Sequence, residues 1–127
     1  MTLAVGARLP DATLLRFGSD GPEAVDLRDL LAGRRVALFA VPGAYTPTCS
    51  SAHLPSFVRT ADAFRANGVD AILCVSVNDV HVMRHWGETS GATAAGIEML
   101  ADADGAFTRA VGMSYDNPAA GLYGRSH

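Results

Sequence analysis

Residues 36–55 read VALFAVPGAYTPTCSSAHLP. The first six form an unbroken apolar run closed by Pro42. A strand buried on both faces reads this way, and such strands belong to sheets with helices on each side. After a loop from Pro42 to Thr48, the residues Leu54, Phe57, Val58, Ala61 and Phe64 recur at the spacing of an amphipathic helix over 50–67, stopped by Asn67–Gly68. Pro55 has no N–H to donate, so it is expected to kink or loosen the start of that helix. Cys49 thus stands where a loop enters a helix. Unpaired N–H groups and the positive end of the helix dipole gather there, and a thiol at such a place is expected to ionise more easily. Thr46 offers a hydroxyl that donates to an anion or accepts from a protonated oxidant, and Pro42 and Pro47 stiffen the approach. The set suits a thiolate attacking a small electrophile. An ordinary buried thiol at a helix start is the competing reading, though it has no need of so stiff a loop.

Outward from this stretch, 11–17 reads as a short first strand and 18–22 (GSDGP) as a turn. Asp26 is expected to cap a short helix over 27–32 closed by Gly33. Downstream, 69–77 is a second β-rich run, and Asn78–Asp79 should cap a helix through His81, Met83 and Trp86. A third strand is expected over 97–101, a turn at Asp104–Gly105 and a helical turn or two over 106–111; residues 113–127 read as loop. The alternation predicts one α/β domain over 1–127 with a largely parallel sheet.

The composition closes off several classes of function. There are 13 acidic against 10 basic residues, for a net charge of −3, and the scattered bases form no face for a phosphate backbone. Every base is arginine, so neither a Schiff-base lysine nor a P-loop lysine is present. No stretch approaches a membrane span, residues 1–9 lack the pattern of an export signal, and two cysteines are too few for a disulfide scaffold. A cytoplasmic location with reduced thiols is the resulting expectation. His53, four residues after Cys49, is read as structural or solvated rather than as an ion-pair partner. His81, His85 and Glu88 have helical spacing but read as a solvated face rather than a metal site, and Trp86 as core or pocket wall.

Pro42-x-x-x-Thr46-x-x-Cys49 resembles the active-site signature of the peroxiredoxins, and PGAYTPTCSSAHLPSF resembles their type II branch, that of peroxiredoxin 5. The strings CVSVND from Cys74, Trp86–Gly87, Leu100–Ala101–Asp102 and Gly105–Ala106–Phe107 extend the resemblance over nearly the whole chain. It implies a thioredoxin-like fold, a central mostly parallel sheet flanked by helices, and reduction of hydrogen peroxide and organic hydroperoxides without cofactor or metal. Cys49 would be the peroxidatic cysteine, passing through a sulfenic acid. Thr46 would hold the peroxide, and Pro42 would shield the pocket. Glutathione with glutaredoxin, or thioredoxin, would be the reductant, and a homodimer would form near Tyr45 and Pro47. Cys74 stands where some members carry a resolving cysteine, yet it lies in an apolar strand, where a packing thiol is the competing reading.

The family pattern L-G-x-R-S-x-R-[YF] meets Leu122–Tyr123–Gly124–Arg125–Ser126–His127 here. Arg125 matches its first arginine, and the catalytic one would follow His127. The expectation is therefore a chain lacking the family's last strands, either truncated or naturally short, with Arg125 as a poor stand-in and a reduced peroxidase rate. A non-catalytic redox-sensing or partner-binding module of the same fold, or an inactive fragment, is the rival reading.

Overall fold

The apolar runs 36–41, 71–76 and 97–101 lie side by side as parallel strands in the computed structural model, which describes residues 3–47 and 49–127. Met1, Thr2 and Thr48 fall outside the described residues, and with them the start of the segment read for an export signal and the expected end of the loop. In chain order the elements are β1 (Thr13–Gly18), β2 (Gly21–Asp26), α1 (Leu27–Leu31), β3 (Val36–Val41), a π-helical turn (Cys49–His53), α2 (Leu54–Ala66), β4 (Ala71–Ser76) and α3 (Val80–Ser90). They continue with β5 (Ile97–Ala101), α4 (Ala106–Ala110), β6 (Tyr115–Asn117), a 3-10 turn (Pro118–Ala120) and β7 (Leu122–Arg125). The main sheet has the order β2-β1-β5-β4-β3.

The sheet is mixed: β3, β4 and β5 run parallel, as the alternation predicts, and β1 runs antiparallel to both β2 and β5. The sequence reading had no β2. Its residues GPEAVD are mostly exposed and include Pro22, which a sheet tolerates at an edge, where β2 lies. Gly18 pairs with Gly21 across the turn at Ser19–Asp20, and Gly21 adopts a positive φ of 114°, which glycine takes without steric cost. Asp26 does stand at the N-cap of α1, but its side chain makes no capping bond.

The strand buried on both faces is β4, not β3. Alternate β4 residues enter two cores: Ile72 and Cys74 pack with Met83, Trp86 and Leu54 beneath α2 and α3, while Leu73 and Val75 pack with Leu27, Leu30 and Phe107 beneath α1 and α4. β3 is the other edge of the sheet, with only Phe39 and Val41 buried. Its Leu38 and Ala40 face an apolar recess of about 250 Å³ shared with Leu9, Phe107 and Met113. An apolar hexapeptide reads alike in both positions, because periodicity does not report which flank has a neighbour.

Residues 113–127 are not a featureless loop. β6 and β7 form an antiparallel hairpin around Pro118–Ala120, with Gly124 N–H donating to Asp116 Oδ1 at 2.6 Å and the Tyr115 and His127 rings in edge contact. Strands this short have no detectable alternation. Among the described residues no helix is long and apolar enough to cross a membrane.

Candidate active site

The loop after β3 is built by its own hydrogen bonds and by an anchor at the end of β4. Thr46 Oγ1 donates to the Gly43 carbonyl at 2.7 Å, and Ser50 N–H donates to the Thr46 carbonyl at 2.9 Å, closing the turn that carries Cys49. Asn78 Oδ1 accepts from Ala44 N–H at 2.9 Å and from Ser76 Oγ at 2.6 Å. The expected joint cap thus divides into two roles. Asp79 caps α3 by accepting from Val82 N–H at 2.9 Å, and Asn78 holds the loop.

Cys49 opens the π-helical turn and is 2 % exposed. The turn runs into α2 at Leu54, with Pro55 in the first α-helical positions. A proline there lacks the N–H that would continue regular bonding back into 49–53, and the wider winding is the loosened start expected of it. Pro42 is half-buried at the exit of β3.

Arg125 reaches this loop from the far end of the chain. Its Nη1 donates to the Val77 carbonyl at 2.8 Å. A Cβ placed on Gly43 would lie 3.2 Å from Thr46 Cγ2 and 3.4 Å from Arg125 Nη1. Thr46 and the guanidinium therefore converge over Gly43, the residue type that leaves both room. The hydroxyl of Thr46 spends its proton on Gly43, so its remaining capacity is to accept, as a protonated oxidant requires. Pro42, Thr46, Cys49 and Arg125 are thus gathered at one end of β3 and β4. Gly43 had no assigned role in the sequence reading, and Asn78 was read there only as part of the α3 cap. A polar residue directly after a buried strand, opposite a proline-rich loop, was the available sign of Asn78.

Cys74 is a free thiol, fully buried in β4 and in the same core as Cys49. Burial, reinforced by nearby Cys49, pushes its pKa far above the ordinary 9.0. His53 packs against Phe39 and Phe57, with ring centroids 5.3 and 5.7 Å away, as a packing residue does. His81 meets the Phe17 ring, His85 bonds Tyr45 and Glu88 pairs with Arg84, so these three do not converge. Among the described residues no three metal-ligating side chains cluster. Trp86 is buried against the loop.

The family model described as Redoxin matches residues 4–125. The chain is 52% identical over 117 residues to peroxiredoxin-2E-2, chloroplastic, of Oryza sativa subsp. japonica, covering 91% of this chain and 52% of that protein. It is 46% identical over 125 residues to peroxiredoxin-2C of the same plant, covering 98% of this chain and 76% of that protein. The chain thus spans about half the length of the first relative and about three quarters of the second. A solved structure of reduced Prx3 in complex with H2O2 from Vibrio vulnificus superposes with a TM-score of 0.90 at 48% identity, over 98% of this chain and 77% of that one. With this fold, these relatives and a cysteine loop of matching pattern, the chain belongs to the peroxiredoxin family.

Proposed function

We propose that the chain is a thiol peroxidase that reduces hydrogen peroxide and organic hydroperoxides through Cys49. The observation that carries the reading is the convergence of Thr46 and the Arg125 guanidinium over Gly43, on the loop that delivers Cys49 to the start of a helix. The Cys49 thiolate attacks one peroxide oxygen, the O–O bond breaks, and the other oxygen leaves with a proton as water or alcohol. The sulfur is oxidised by two electrons to a sulfenic acid. Thr46 accepts a hydrogen bond from the protonated peroxide. Arg125, read in the sequence as the stand-in for the family's arginine, is the cation offered to the charge that builds on the oxygens, a task suited to a planar cation with several donors. Pro42, half-buried at the exit of β3, limits water at the loop.

An external thiol then resolves the sulfenic acid. It condenses with Cys49 to a mixed disulfide, releasing water, and a second thiol restores Cys49 and leaves as the oxidised disulfide. Glutathione with glutaredoxin, or thioredoxin, supplies these electrons. Cys74 is not the resolving residue in this scheme: exchange needs a thiolate, and burial holds Cys74 protonated. Stopped-flow peroxide consumption with these reductants tests the proposal. Wild type should turn over and Cys49→Ser should not. Arg125→Ala should lose about 10²-fold or more, the scale of removing one preorganised donor. Equal rates in wild type and Cys49→Ser would end the reading, and an unaffected Arg125→Ala would remove Arg125 from it. After one equivalent of peroxide and excess glutathione, mass spectrometry should find a Cys49–glutathione adduct; a Cys49–Cys74 disulfide instead would restore the internal route.

A further inference from the structure

Both flanks of Cys49 are tied to one helix. On the C-terminal side, Trp86 Nε1 of α3 donates to Ser50 Oγ at 3.2 Å. On the N-terminal side, the Tyr45 hydroxyl bonds His85 Nδ1 and lies 3.3 Å from Thr89 Oγ1, one turn further along the same helix. Thr89 gives its own proton to the His85 carbonyl at 3.0 Å, so the phenol is the donor in this cluster when the imidazole carries its proton on Nε2. The Tyr45 ring stands 6.3 Å from that of Trp86, which joins the two ties into one contact surface.

Tyr45 is also the one non-glycine among the described residues with a positive φ, 65°. An L-residue with a bulky side chain is disfavoured there and stays only when its surroundings hold it. What the turn at Tyr45 achieves is visible in its neighbour: Thr46 follows directly, its hydroxyl aimed at Gly43 and its carbonyl receiving the Ser50 N–H.

We propose that Tyr45 and His85 are positioning residues for peroxide reduction. The Tyr45 hydroxyl, held by His85 on α3 with Thr89 packed beside it, keeps the loop in the left-handed turn that aligns Thr46 with Cys49. Neither residue touches the reacting atoms. The inference rests on the peroxidase reading for its consequence in rate, but the clamp itself is a property of the loop and has its own readout.

The experiment compares wild type with Tyr45→Phe, His85→Ala, His85→Asn and the double variant Tyr45→Phe/His85→Ala. Tyr45→Phe removes a single oxygen, and both side chains are exposed, so melting temperatures should match wild type. Peroxide rate constants should fall about threefold to tenfold in each of the first two variants, the range for one hydrogen bond. The double variant should be no slower than either single one, because both cut the same link. His85→Asn puts an amide oxygen near the position of Nδ1 and should recover the rate. Hydrogen–deuterium exchange of residues 43–50 should quicken in Tyr45→Phe and His85→Ala and return toward wild type in His85→Asn. An unchanged rate and exchange in Tyr45→Phe would overturn the proposal, as would additive losses or failure of His85→Asn to recover. A wild-type chain that reduces no peroxide contradicts the peroxidase reading alone, and exchange then decides the clamp.

Discussion

Gly43 carries no side chain at the point where the Thr46 methyl and the Arg125 guanidinium approach each other. Its φ is not left-handed, so alanine is permitted by the backbone and opposed only by those two neighbours, which would have to give way by a few tenths of an ångström. Gly43→Ala should therefore fold with an unchanged melting temperature yet reduce peroxide about tenfold more slowly, since small misplacements of reacting groups are costly. Stopped-flow traces beside thermal melts check this, and an unchanged rate would show that the convergence over Gly43 is incidental. The cysteine, threonine and proline of the loop were singled out in the sequence by their position and by the family resemblance. Gly43 was not, because what it makes room for comes from 82 residues further along the chain. Arg125 could be matched to a pattern, but its distance from the loop became known only with the hairpin that returns it.

At the scale of elements, α3 does the most for the site while containributing no reacting group. It is capped by Asp79, anchored in the core by Met83 and Trp86, and meets the loop through His85, Trp86 and Thr89. Asp79→Ala should cost about 0.5–2 kcal/mol of stability, the usual loss for an N-cap, read as a lower urea midpoint. Because the frayed turn is the one nearest Asn78, residues 43–50 should also exchange faster; a stability loss without that change would separate cap from loop. The long elements were legible because their apolar period is strong: β3 and β5 fall where the runs predict them, as do the bodies of α2 and α3. β2 and the β6–β7 hairpin were not, since short, polar, edge-placed strands are set by pairing rather than by pattern.

For the whole molecule, two cores meet at β4, and Cys74 lies at that junction, wholly buried. The folded chain keeps the Cys74 proton at a pH where the unfolded chain releases it near 9.0. The folded state then binds more protons than the unfolded one, so stability is retained below that pH and falls above it, approaching about 1.4 kcal/mol per pH unit from this group. Urea midpoints between about pH 8 and pH 10 should decline less steeply in Cys74→Ala than in wild type; parallel declines would mean that Cys74 ionises freely. The α/β class was legible at this scale from the alternation of runs, whereas the mixed sheet was not, because one antiparallel β1 beside β5 leaves no mark on either sequence. The central claim is that the loop makes Cys49 a peroxide-reactive thiol. The direct measurement adds one equivalent of hydrogen peroxide to the reduced chain, folded and in urea, and follows one-oxygen addition at Cys49 by rapid-quench peptide mass spectrometry. The account predicts sulfenic acid at Cys49 forming at least about 10²-fold faster in the folded chain, the scale of preorganised electrostatic stabilisation; equal rates in the two states would contradict it.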